Sequence, residues 1–261
     1  MGYQTLTYQQ DETGIAIIAL TVPEKRNAIS SHMIGDLLDA LDQAERGAPR
    51  VLILTGSGKA FCAGMDLDEL QSVAKQTLQK NLEEARRVTK LFSRLYSFPK
   101  PVIAAVNGAA IAGGCGLATL ADVTIAIPEA KFGYTEVKLG FIPAIVAVFL
   151  RRRLQDKHLR ELLLTGRVID ASDAFRMGLI TEIVPAEDLI GRARQIAGLF
   201  LAASPTAIKQ TKSLLLSFDR AAVRAELEAA IEANASIRST ADFREGVAAF
   251  LEKRTPRWGG D

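Results

Sequence analysis

The chain reads as an α/β protein with a helical C-terminal part. Three observations predict this. Five short β-branched or aliphatic runs occur over the first 184 residues, and amphipathic helical patterns fill most of the intervals between them. After about Ser204 the pattern is helical only, with no convincing strand. The expected division is a core over 1–203 and a helical region over 204–261.

Ile15 to Leu20 is the first strand, apolar and bounded by polar residues. Ser30 or Ser31 can cap a helix reaching about Glu45. Val51 to Thr55 is the second strand. Leu82, Ala85, Val88, Phe92 and Leu95 form an apolar stripe at helical spacing. Val102 to Val106, Val123 to Ile127 and Ile180 to Val184 complete the strands. Ser204-Pro205 is a cap followed by proline at the first helical position. Asp242-Phe243-Arg244-Glu245 fits a capping box opening a last helix. Pro101 to Ala121 is uncharged and long enough to cross a bilayer, but Ala and Gly dominate it. Those residues contribute little to insertion, so the segment reads as buried strand, turn and helix.

At 261 residues, 48% hydrophobic and 24% charged, the composition is that of an ordinary soluble domain with a sizeable core. A net charge of +2, with acids and bases interspersed, argues against nucleic acid as the main partner. Cys62 and Cys115 are the two cysteines; with no CxxC and no His/Cys cluster, zinc is not expected. Free thiols fit a reducing cytosol, and the N-terminus lacks the regions of a signal peptide, so a cytoplasmic location is expected.

The chemistry concentrates in two glycine-rich turns and one glutamate. The first turn runs from Gly56 to Asp66, the second from Asn107 to Gly116, and Glu136 lies twenty residues beyond the second. Each turn comes after a strand and is expected to open a helix. Helix N-termini there would supply unpaired N–H groups for an anion. Two such groups can hold an oxygen that gains negative charge, and a nearby carboxylate can move the matching proton. Close backbone packing is the plain alternative for either turn. Glu136 sits between Phe132-Gly133-Tyr134 and Val137, Leu139, Phe141, Ile142 and Pro143. Such surroundings raise a carboxyl pKa, which suits an acid/base.

Other motifs fail. A nucleotide P-loop would need glycine at Ile53 and Ser or Thr at Ala60. A dinucleotide fingerprint would need its last glycine at Thr119. No Gly-x-Ser-x-Gly elbow occurs. His32 and His158 sit on expected helices, where capping or solvated roles are the default.

At these residues the chain resembles the crotonase superfamily, the enoyl-CoA hydratase/isomerase family, over essentially its whole length. Pro23 to Ala28, Ala60 to Leu67, Asn107 to Cys115, Phe132 to Glu136 and Ala249 to Arg254 carry the resemblance. It implies a spiral of ββα units with a helical trimerisation region, assembled as homotrimers or dimers of trimers. It implies an acyl-CoA thioester substrate, no membrane partner, no metal, and no cofactor beyond the coenzyme A of the substrate. The backbone N–H groups of Met65 and Gly113 would form the oxyanion hole. Lys25, Arg26, Ala28, Ala63, Gly64, Asp66 and Leu67 would line the CoA, with Phe250 and Lys253 reaching it from an adjacent subunit. Pocket walls are expected at Leu70–Leu82 and Phe141–Phe149. Hydratases of the family generally use two glutamates; Glu136 matches one, and Gly116 stands in place of the other. The segment from Phe132 to Ile145 also resembles bacterial hydratases of branched enoyl-CoA, including methylglutaconyl-CoA hydratase-like proteins. The expected activity is hydration of a 2-enoyl-CoA in fatty-acid or branched-chain acyl-CoA breakdown. The alternatives are a single-glutamate 3-enoyl- to 2-enoyl-CoA isomerase and a non-catalytic acyl-CoA-binding protein.

Overall fold

Runs that are apolar on both faces belong inside a parallel sheet covered on both sides. The computed structural model, which describes residues 2–73 and 76–260, builds its main layer this way. Positions 74 and 75 of the expected pocket wall, and the terminal positions 1 and 261, lie outside the described residues.

In chain order the strands and α-helices are β1 (Leu6–Gln10), β2 (Ile15–Leu20), α1 (Ser31–Arg46), β3 (Val51–Gly56), β4 (Ala60–Cys62), α2 (Leu67–Val73) and α3 (Leu78–Tyr96). Next come β5 (Val102–Val106), β6 (Ala109–Ile111), α4 (Gly113–Thr119), β7 (Val123–Ala126), β8 (Lys131–Gly133), α5 (Ala144–Leu150) and α6 (Asp156–Thr165). The chain ends with β9 (Ile169–Asp170), α7 (Ala171–Arg176), β10 (Glu182–Ile183), α8 (Leu189–Leu201), α9 (Pro205–Ser217), α10 (Arg220–Ile237) and α11 (Ala241–Leu251).

Two sheets result. The larger has the order β1-β2-β3-β5-β7-β10, and the smaller β4-β6-β8-β9. Within the larger sheet only the β1–β2 pair is antiparallel. Three successive passes, β3–β4, β5–β6 and β7–β8, each add a strand to the large sheet, a strand to the small one, and then helix. This is the ββα spiral that the resemblance implies. Ile53, Ile103 and Ile125 pack one face of the large sheet against Leu189, Ala193 and Ile196 of α8. The other face meets Met33, Leu37 and Leu41 of α1 and Leu91, Phe92 and Leu95 of α3.

Three expectations change. The glycine turns do not pass straight from strand to helix: β4 lies inside the first and β6 inside the second. These three-residue strands form because they pair with each other, with Ala60 opposite Ala109 and Cys62 opposite Ala110. The strand expected at Ile180–Val184 contracts to Glu182–Ile183, because the Ile180 N–H donates to the Ala174 carbonyl at the end of α7. The last helix is capped by Thr240, whose hydroxyl accepts from the Phe243 N–H at 3.2 Å. Asp242 is not the cap; its carboxylate accepts from the Gly259 and Gly260 N–H groups, and Glu245 pairs with Arg254. At the start of α1 the choice between two serines resolves to Ser30, which accepts from the Met33 N–H. Among the described residues no helix is long and apolar enough to cross a membrane.

Candidate active site

The small sheet explains why distant sequence motifs meet. Its strands β4, β6 and β8 run parallel, so their carboxyl ends lie side by side. From those ends the chain continues into segments 63–66, 112–113 and 134–136, respectively. The first two segments touch. A Cβ at Gly64 would sit 3.0 Å from the Ile111 carbonyl oxygen and 3.1 Å from Ala112 Cβ. A φ of 89° at Gly64 favours glycine there for the same turn. The second and third segments are joined by the Ala112 N–H, which donates to the Gly133 carbonyl at 2.7 Å.

Met65 forms an isolated parallel bridge with Ile29. In it the Ile29 N–H donates to the Gly64 carbonyl at 2.6 Å, and the Asp66 N–H donates to the Ile29 carbonyl at 3.0 Å. That pattern turns the Met65 N–H away from Ile29. Gly113 is the first residue of α4, where an N–H has no partner within the helix. Among the described residues neither amide takes part in a hydrogen bond. Ala112 just before it is held at φ 49° and ψ −124°, an uncommon conformation for alanine that sets the direction of the Gly113 N–H. A Cβ on Gly113 would meet Ile29 Cδ1 at 3.2 Å, so Ile29 is a common neighbour of Met65 and Gly113.

Glu136 opens a 3-10 turn, Glu136–Leu139, behind β8. It is 8% exposed, and its Oε2 has no hydrogen-bond partner among the described residues. Burial pushes its carboxyl pKa up from 4.5 to about 7, against the opposing pull of a backbone hydrogen bond. This is an environment in which a carboxyl holds or releases a proton near neutrality. The turn is held from outside by α11, since a Cβ at Gly246 would collide with the Leu139 backbone. Behind it, Tyr134 is fully buried and shares a 2.8 Å hydrogen bond with the Thr119 hydroxyl.

Gly116 differs from a simple gap. A Cβ there would lie 2.7 Å from Val146 Cγ1 and 3.1 Å from Phe92 Cε1. Apolar side chains of α5 and α3 therefore occupy the space beside it. Cys62 and Cys115 are both buried, and burial pushes each thiol up to about 12, which leaves them unreactive.

The early segment joins the first turn. The Ala63 N–H donates to the Arg26 carbonyl at 3.0 Å, and Lys25 Nζ lies 2.9 Å from Asp66 and 2.8 Å from Asp68. Lys25, Arg26, Ala28, Ala63, Gly64 and Asp66 thus form one patch, and Leu67 begins α2 beside them. Sequence reasoning overlooked Asn27, which is fully buried and pins this patch. It accepts from the Val22 N–H at 2.9 Å and donates to the Ser57 and Ala60 carbonyls at 3.0 and 2.9 Å. Arg26 and Asn27 both have positive φ, and asparagine's tolerance of that region was the available signal. Phe250 and Lys253, at the end of α11, make no hydrogen bond or ion pair with this patch among the described residues; Phe250 is 49% exposed. His32 is exposed on the first turn of α1, and His158 is half-buried on α6. Among the described residues no group of three His, Cys, Asp or Glu side chains could hold a metal ion.

Comparison with known proteins agrees with this geometry. The family model for enoyl-CoA hydratase/isomerase matches residues 10–261. A Thermus thermophilus protein carrying a provisional enoyl-CoA hydratase name is 41% identical, covering 96% of this chain and 99% of its own. The 2,3-dehydroadipyl-CoA hydratase of Escherichia coli is 34% identical, over 94% of this chain and 95% of its own. Among solved structures, an enoyl-CoA hydratase/isomerase from Xanthobacter autotrophicus superposes with a TM-score of 0.88 at 30% identity, covering 99% of this chain and 100% of its own. With motif order, strand pairing and full-length similarity all in accord, the chain belongs to the enoyl-CoA hydratase/isomerase family and is an enzyme of that family.

Proposed function

We propose that this enzyme hydrates a 2-enoyl-CoA thioester with Glu136 as the sole carboxylate at the reacting carbons. One observation carries the reading: a buried carboxylate with its Oε2 unpartnered among the described residues comes after the strand next to a turn whose Gly113 amide, like that of Met65, is free to donate. The thioester oxygen accepts hydrogen bonds from the Met65 and Gly113 N–H groups. Water adds its oxygen to C3, the C2–C3 π electrons move toward C1, and the thioester oxygen takes up the negative charge. Glu136 receives the proton of that water and returns it to C2 as the enolate collapses. One carboxylate then serves as base and as acid, for which a pKa of about 7 is suited.

Gly116 favours a second reading. With Val146 and Phe92 filling the neighbouring space, position 116 supplies no second carboxylate to orient the water. An isomerase needs only one base: Glu136 would take a proton from C2 of a 3-enoyl-CoA and deliver it to C4, moving the double bond to C2–C3.

The CoA nucleotide would lie along Lys25, Arg26, Ala28 and segment 63–67. Phe250 and Lys253 would reach the CoA of an adjacent subunit. A homotrimer or dimer of trimers is supported by α9, which buries none of its residues within the chain and exposes Leu214, Leu215 and, at its end, Phe218. Buried thiols are compatible with the cytoplasm, and coenzyme A enters only as part of the substrate. The deciding experiment is a product-resolved assay of crotonyl-CoA hydration beside 3-hexenoyl-CoA isomerisation. A 3-hydroxyacyl-CoA product supports the first reading, and a 2-enoyl-CoA product the second. Acyl-CoA binding without turnover on a broad panel would leave only a binding protein.

A further inference from the structure

The carboxyl of Glu136 is placed by the main chain that carries it. Its Oε2 has no hydrogen-bond partner among the described residues, and the hydrogen bond that opposes the rise of its pKa comes from its own backbone. The Gly113 amide is likewise part of the main chain, at the first residue of α4. The relative position of these two groups therefore depends on how α4 sits against the segment leading from β8 to Glu136.

That segment is tied to α4 at both ends of the helix. Just before the helix starts, the Ala112 N–H donates to the Gly133 carbonyl at 2.7 Å. At the last helical residue, the Thr119 hydroxyl lies 2.8 Å from the Tyr134 hydroxyl, and both side chains are buried. A threonine hydroxyl has one proton to give. Thr119 gives it to the Cys115 carbonyl at 2.9 Å, an atom that can only accept, so Tyr134 is the donor to Thr119. Burial above all, with Cys115 and Glu136 adding to it, holds the Tyr134 pKa well above its ordinary value, so that proton stays in place. Along a seven-residue helix the two ties stand roughly 10 Å apart. One tie alone would leave α4 free to pivot about it; two fix its direction. Gly133 and Tyr134 are consecutive, and the length of the tyrosine side chain lets them reach opposite ends of α4. A buried tyrosine hydroxyl needs a partner in any fold, but that need alone would act on stability and not on rate.

We infer that the Tyr134–Thr119 hydrogen bond holds the Gly113 amide in register with Glu136, which makes Tyr134 and Thr119 positioning residues for the reaction. The inference rests on the acyl-CoA reading above and adds the device that sets its geometry. The patch proposed to hold the coenzyme A lies on the first turn and the 25–28 segment, so the bond should serve rate and not affinity.

Exchange of the C2 hydrogens of butyryl-CoA in deuterium oxide, followed by proton NMR at saturating ligand, reads that rate whichever way the double bond reacts. Tyr134→Phe and Thr119→Val each delete one hydroxyl and keep the bulk, so either variant, once thermal denaturation shows it folded, decides the matter. Each should slow exchange by about 10- to 100-fold, the scale of misplacing a catalytic group by about 1 Å. Kd for butyryl-CoA should stay within about twofold, the mark of an interaction that acts in the transition state. The double variant should be no slower than the slower single one, because both remove the same bond. Thr119→Ser, which keeps the hydroxyl, should recover most of the rate that Thr119→Val loses. Exchange at the wild-type rate in a folded hydroxyl-free variant would overturn the inference, as would losses that multiply in the double variant or that are matched by equal losses of affinity. A slow Glu136→Gln beside an undiminished Tyr134→Phe removes this inference alone. A Glu136→Gln that exchanges as fast as wild type removes the proton-transfer reading, and this inference with it.

Discussion

Glu136→Gln should stabilise the protein, and do so only where the carboxyl would otherwise be ionised. The wild-type side chain is buried, and that burial raises its pKa from 4.5 to about 7 on folding. At 1.36 kcal/mol per tenfold change in proton affinity, that rise corresponds to about 3 kcal/mol. A group whose pKa is raised in the folded state leaves stability intact below the unfolded pKa and withdraws it as pH climbs through the folded one. The glutamine is neutral throughout. The stability difference in its favour should therefore grow by about 1 kcal/mol by pH 5 and about 2 by pH 6, then level near 3 above pH 7. Urea denaturation of both proteins at pH 5, 6, 7 and 8, at one protein concentration, measures this. A difference that stays constant from pH 5 to pH 8 would refute the claim that burial raises the carboxyl pKa.

Two substitutions probe the glycine positions. Gly116→Glu restores the family's second carboxylate in name, but its Cβ meets Val146 Cγ1 at 2.7 Å. It should lower stability by roughly 1–3 kcal/mol and give no gain in hydration; Val146→Ala in the same chain should recover much of the stability, as read by thermal denaturation. Gly113→Val puts branched bulk where Ile29 Cδ1 is 3.2 Å from a Cβ and beside the donating amide. Turnover at saturating acyl-CoA should fall about 100-fold or more, the scale of losing one oxyanion donor, while circular dichroism stays native.

The large sheet was legible in the sequence because its inner strands are continuous apolar runs. Ile15–Leu20 and Val102–Val106 match the structure residue for residue. The small sheet was not, although it is the sheet that assembles the site. Its strands are two or three residues of mostly Ala, Cys, Gly, Lys and Asp, too short for any periodicity, and they exist through pairing across the chain. Strand β1 was missed for another reason: in Leu-Thr-Tyr-Gln-Gln only Leu6 is buried, as befits the edge of a sheet. At the site, the two turns and Glu136 were readable from residue type. The filling of the space beside Gly116 was not, since Phe92 and Val146 come from two helices whose approach is a tertiary fact. The same holds for Asn27: it stands within the Pro23–Ala28 segment, but its role in pinning the patch is read from its burial and hydrogen bonds.

Hydrogen exchange at C2 of a saturated thioester isolates the central claim from the choice between hydration and isomerisation. In deuterium oxide, proton NMR of butyryl-CoA should show enzyme-catalysed loss of the C2 signal, because in the proposed mechanism Glu136 creates an enolate that the amides of Met65 and Gly113 stabilise. Glu136→Gln should bind butyryl-CoA with similar Kd and slow that exchange by about 100-fold or more. Exchange at an undiminished rate in the glutamine variant would contradict the account.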